Sequence, residues 1–125
     1  MKLIQFSRPA LRALILGAAA LFATSAAFAH AHLASSQPAA NAEVAAPAAV
    51  TIHFTEPLEP VFSRIALADA SGKAAAPAAA EVDKQDPKLM RLALPQLSAG
   101  RYAVHWIAVA TDGHRTQGDF AFNVK

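Results

Sequence analysis

The plainest alternation of apolar and polar positions runs through residues 50–55. Val50, Ile52 and Phe54 fall on one side, and Thr51, His53 and Thr55 on the other. A period of two is that of a strand with one buried face, and Glu56-Pro57 ends it. Residues 62–69 make a second extended stretch, with Ile65 and Leu67 pointing the same way, closed by the turn signal Ser71-Gly72. Alternation returns in residues 89–94, where Met90, Leu92 and Leu94 form the inner face. The strongest segment is residues 101–110: Tyr102, Val104 and Trp106 share one face, and His105, Ile107 and Val109 the other. Apolar groups on both faces predict a central strand. Asp112-Gly113 then turns the chain, and residues 119–124 supply a last strand with Phe120, Phe122 and Val124 inward.

The remaining segments are weaker. Residues 33–38 predict an edge strand ending at Gln37-Pro38, because proline removes a ladder donor. Residues 39–47 are alanine-rich, but Asn41 and the flanking prolines interrupt any helix, and the segment reads as a connection. Residues 73–88, rich in alanine, proline and charge, read as a variable loop holding a short strand. No segment has a helical period, and no internal repeat is visible. About seven short strands with regularly spaced turn signals predict an all-β fold, a Greek-key β-sandwich or barrel of the immunoglobulin-like or cupredoxin-like kind.

Ahead of these strands the pattern changes. Lys2, Arg8 and Arg12 precede and enter a stretch without acids, an apolar run follows from residue 13 to 22, and small residues lead to Ala27-Phe28-Ala29. This is the order of a cleavable signal peptide, and the run is well short of the ~20 residues of a membrane span. Residues 1–29 are therefore expected to be removed, leaving residues 30–125 as one secreted domain with no stable membrane insertion. Ala29-His30-Ala31 is also an A-x-A triplet, so cutting after Ala31 is the alternative.

That cut changes the charge argument. The whole chain has eleven Lys or Arg against nine Asp or Glu. Losing Lys2, Arg8 and Arg12 leaves eight against nine, so the mature domain is near neutrality and has no basic patch for nucleic acid. There is no cysteine, hence no disulfide and no thiolate for a metal.

The candidate chemistry lies at the new terminus and in the last turn. Cutting after Ala29 gives His30 a free α-amine beside its imidazole, two nitrogen donors on one residue. Asp112 and His114 stand two apart across Gly113, which permits a sharp bend that can bring them together. Imidazole, amine and carboxylate suit Cu(II) better than a hard ion such as Mg²⁺. Each piece also has a plain reading: Asp-Gly is first a turn, and a histidine beside a turn is usually solvated. Their coincidence in one small exported chain favours the metal. His32 is a secondary ligand, because histidine third from a free amine can wrap Cu(II) using the amine, two deprotonated amides and its own imidazole. That mode needs no fold and competes with a site built on Asp112 and His114. Glu56 reads either as an outer-shell carboxylate orienting a ligand or as a solvated acid. His53 and His105 read as packing or hydrogen-bonding histidines. No serine sits in a nucleophile motif, and no glycine-rich phosphate loop occurs.

His30-Ala31-His32-Leu33, Ser36-Gln37-Pro38-Ala39, His53-Phe54-Thr55-Glu56-Pro57-Leu58, Gly100-Arg101-Tyr102-Ala103-Val104-His105-Trp106 and Thr111-Asp112-Gly113-His114 through Gly118-Asp119-Phe120 stand in the order and spacing of a known family. The chain resembles the CopC family of periplasmic copper-binding proteins. The resemblance implies a cupredoxin-related β-barrel or sandwich, a role in copper resistance or homeostasis, and no catalysis. It also implies Cu(II) ligation by His30 through amine and imidazole together with Asp112 and His114, and places the family's strand-exit glutamate on Glu56. A CopD-like inner-membrane copper transporter is the partner it implies. Some members hold Cu(I) in a methionine-rich loop. The matching residues 73–88 have no methionine here and Met90 is the only one after the signal, so the chain resembles a Cu(II)-only version. Two rivals remain: a copper-dependent oxidase with an N-terminal histidine site, and a metal-free immunoglobulin-like interaction module.

Overall fold

In the computed structural model, which describes residues 30–125, the alternating segments become strands in chain order: β1 (Leu33–Gln37), β2 (Glu43–Val44), β3 (Ala49–Phe54), β4 (Arg64–Ala68), β5 (Glu81–Val82), β6 (Leu89–Ala93), β7 (Gly100–Val109) and β8 (Arg115–Val124). The expected signal segment and its cleavage point at Ala29 lie outside the described residues. Two four-stranded sheets form, β1-β3-β6-β5 and β2-β8-β7-β4, antiparallel throughout except for β2 against β8. The chain stays within a sheet only at β5–β6 and β7–β8 and otherwise crosses between the two. The result is the expected all-β sandwich. Among the described residues there is no helix, and so none long and apolar enough to cross a membrane.

The inner faces are those the alternation marks. Val50, Ile52, Phe54, Met90 and Leu92 from one sheet meet Ile65, Leu67, Tyr102, Val104, Trp106, Phe122 and Val124 from the other, all buried. The Phe54 and Trp106 rings meet edge to face at 5.2 Å, and Tyr102 stacks on Phe122 at 5.9 Å. The Tyr102 hydroxyl donates to the Ser98 carbonyl at 2.8 Å, so its polar tip is satisfied at the core margin. As expected, β7 is central, paired to β4 on one side and β8 on the other, and Ile107 on its second face is also buried.

Three segments differ from the reading of the alternation. β8 begins at Arg115, four residues before the apolar pattern starts, because ten residues of β7 offer it a continuous antiparallel ladder. Pairing alone can hold a polar strand end. The segment 39–47 contains β2, two residues whose parallel bonds to β8 cover that strand's outer edge. Residues 59–63 are a turn rather than the start of β4: the Phe62 and Ser63 amides donate to the Glu59 carbonyl, and Ser63 Oγ accepts the Val109 amide at 3.0 Å. That turn leaves Val61 and Phe62 on the surface, 85% and 64% exposed.

Candidate metal centre

The β7–β8 hairpin places two of the candidate ligands. At its tip the Gly113 amide donates to the Ala110 carbonyl at 2.8 Å, and the Ala110 amide to the His114 carbonyl at 2.9 Å. Gly113 has φ of 92°, a left-handed conformation that a residue with a side chain rarely adopts. This bend folds Asp112 onto His114. One carboxylate oxygen accepts the His114 amide at 3.0 Å, and the other stands 3.0 Å from its Nδ1. These two contacts, the backbone N–H first, hold the Asp112 carboxyl below its ordinary range, with His30 adding a smaller attraction. Asp112 is therefore an anion at neutral pH. A carboxylate has about four acceptor positions, so two bonds from one neighbour do not exhaust it. An imidazole whose Nδ1–H is donated to a carboxylate carries its lone pair on Nε2, the usual arrangement of a metal-binding histidine.

The third candidate arrives along the N-terminal segment, which is held from both sheets. Ala31 is wholly buried, and its carbonyl accepts the Thr116 hydroxyl of β8. On the other side Thr55, directly after β3, grips the segment three times. Its amide donates to the His32 carbonyl at 2.9 Å, its hydroxyl oxygen accepts the His32 amide at 2.9 Å, and its hydroxyl donates to the His30 carbonyl at 3.1 Å. Thus β1 enters its pairing with β3 already anchored, and half-buried His30 is set against the hairpin tip. The His30 and His114 rings lie edge to face with centroids 4.9 Å apart.

The structure therefore gathers His30, His114 and Asp112 at one end of the sandwich. Among the described residues no three His, Asp or Glu side chains close into a ready metal cage. The chemistry explains why a further donor matters: in the uncut chain the His30 nitrogen is an amide, and the amine exists only when the chain begins there. With that amine the set is two imidazoles, an amine and a carboxylate, borderline nitrogen and oxygen donors that fit Cu(II).

The remaining candidates are placed differently. The His32 ring is 6.0 Å from that of His30, beside the cluster, while its backbone belongs to Thr55. Glu56 follows Thr55, and its carboxylate makes no hydrogen bond or ion pair among the described residues. His53 and His105 are hydrogen-bonding histidines as expected. His53 Nε2 meets Asp86 at 2.8 Å, holding that carboxyl below its ordinary range, and His105 Nδ1 meets Asp119 at 2.7 Å on the outer face of the other sheet. What the sequence reading missed are the two threonines. Thr55 was visible only as a polar member of its strand, and nothing local marks Thr116.

A profile of the CopC domain matches residues 33–125. The chain belongs to the CopC family. It is 37% identical over 115 residues to Copper resistance protein C of Xanthomonas campestris pv. juglandis, covering 86% of this chain and 89% of that protein. A 34% identical match to Copper transport protein CutJ of Bacillus subtilis covers 78% of this chain but 18% of that longer protein. Among solved structures, CopC from Methylosinus trichosporium OB3b superposes with a TM-score of 0.73 at 32% identity, over 77% of this chain and 94% of that one. CopC-family proteins are copper-binding resistance proteins and not enzymes, which sets aside the oxidase reading. Family membership supports a copper-binding role for this chain.

Proposed function

We propose that the mature protein, beginning at His30 after loss of residues 1–29, binds Cu(II) in the periplasm as cargo and sequesters or delivers it. The His30 amine and imidazole, the His114 imidazole and the Asp112 carboxylate supply the ligands. The observation that carries this reading is the 4.9 Å approach of the His30 and His114 rings, with Asp112 paired to His114. Every nitrogen donor must be deprotonated to bind, so affinity falls as pH drops. The donor set favours the oxidised ion. Met90, the one thioether in residues 30–125, is wholly buried among core side chains, leaving no soft donor for Cu(I). Release to a CopD-like inner-membrane transporter completes the role. The CutJ match supports this, since a related segment there forms part of a much longer copper transport protein.

The test is a Cu(II) titration against a competing chelator, on the protein beginning at His30 and on the same protein with one glycine added before it. Loss of affinity in the extended form identifies the amine as a ligand. Equal binding refutes the N-terminal chelate.

A further inference from the structure

The same N-terminal tripeptide offers Cu(II) two sets of donors, and the fold engages the backbone of one of them. The local way uses the amine, the deprotonated amides of Ala31 and His32, and the His32 imidazole, and it needs neither Asp112 nor His114. The tertiary way uses His30 together with the β7–β8 hairpin. An amide nitrogen can bind copper only after losing its proton and turning its lone pair toward the metal. In the folded protein the His32 amide points elsewhere, donating to Thr55 Oγ1 at 2.9 Å. The same hydroxyl donates to the His30 carbonyl at 3.1 Å, and the Thr55 amide holds the His32 carbonyl at 2.9 Å. Both peptide units that the local chelate must rotate are therefore engaged. Between them, Ala31 is wholly buried and its carbonyl is held by Thr116, so rotation also draws Ala31 out of the core.

We propose that Thr55 is a positioning residue that selects the coordination mode: by occupying the His32 amide and the His30 carbonyl, its hydroxyl withholds the terminal amides from copper and commits His30 to the site shared with His114 and Asp112. This rests on the reading above, in which the chain begins at His30. Thr116 is the second anchor, holding Ala31 in place. The hydroxyl acts through the backbone, at the His32 amide and the His30 carbonyl. Thr55 is exposed, so its replacement by valine removes the hydroxyl with little change of volume and leaves its own amide bond to His32 intact.

The experiment combines Thr55→Val with His114→Ala in the protein beginning at His30, read by Cu(II) electron paramagnetic resonance, the visible absorption band and chelator competition. In the parent protein, His114→Ala lowers affinity by more than the roughly 10–100-fold typical of losing an outer partner. In the Thr55→Val background the same substitution has little effect. The spectrum there moves to that of four equatorial nitrogens, with the visible band at shorter wavelength. Thr55→Ser, which keeps the hydroxyl, restores the parent spectrum. A thermal melt of the metal-free variants separates positioning from loss of fold. If Thr55→Val, still folded, keeps both the parent spectrum and the full His114→Ala effect, the proposal is overturned. A parent protein indifferent to His114→Ala overturns instead the ligand set beneath it, and that result is read before Thr55 is touched.

Discussion

Gly118 sits opposite Trp106 on the β7–β8 ladder, and the two are packed so closely that no side chain fits between them. A Cβ built on Gly118 would lie 2.5, 2.7 and 2.9 Å from three atoms of the indole. That is about 1 Å inside the ~3.5–4.0 Å of comfortable carbon contact. The ring has little room to yield: it is 7% exposed, and Phe54 abuts it at 5.2 Å. Overpacking of this kind costs about 1–3 kcal/mol. Against it, Gly118 is not in the left-handed region, so Gly118→Ala regains about 0.4–1 kcal/mol by restricting the unfolded chain. The net expectation is a destabilisation of roughly 1–2 kcal/mol. For a domain of this size that lowers Tm by roughly 4–16 °C. The assay is a thermal melt of the metal-free protein followed by circular dichroism, together with fluorescence of Trp106, the one tryptophan in the chain. The fluorescence should shift as the indole is displaced. Because Thr116 lies two residues along the same face of β8, copper affinity should fall as well, with Ala31 less firmly held. An unchanged or raised Tm with an unchanged emission spectrum would refute the packing argument.

Three other expectations follow from the same geometry. His53→Ala and His105→Ala leave copper affinity unchanged in chelator competition, because each ring pairs with its own carboxylate, Asp86 or Asp119, away from the hairpin tip. Asp112→Asn weakens copper binding at neutral pH, where the wild-type carboxylate is ionised, and the titration used for His114→Ala measures it. Asp112 also carries an acid signature. Its folded-state value is depressed, so its contribution to stability is complete above the ordinary carboxyl value of 3.8 and is lost as pH falls through the lower folded value. Thermal melts between neutral pH and pH about 3 should therefore fall less steeply for Asp112→Asn than for the parent.

Much of the fold is legible in the order of residues because burial in a sandwich obeys the pleat. Val50, Ile52 and Phe54 must share a face in any extended conformation, as must Tyr102, Val104 and Trp106, and a water-avoiding core needs no further instruction. The Gly113 bend is likewise local, since its left-handed conformation depends on a residue without a side chain. The candidate ligands are legible for a related reason: their chemistry is intrinsic to histidine, aspartate and a free amine, whatever surrounds them. The polar half of β8 and the two residues of β2 are not legible, because those segments are strands only through the partners they meet. Phe62 shows the reverse case, an apolar residue that alternation assigns to a strand and that the Glu59 turn leaves on the surface.

The site divides along the same line. By itself the sequence determined which groups could bind copper and that Asp112 and His114 would be near neighbours, because both are consequences of residue type and short separation. Only the tertiary structure decided that His30 reaches them, across more than eighty residues of chain, and that Thr55 and Thr116 hold its backbone there. The physical reason is that a hydrogen bond between distant segments has no local signature. A threonine on a strand looks the same whether its hydroxyl meets water or the carbonyl of a buried peptide, and the two sheets must be closed on one another before that difference exists.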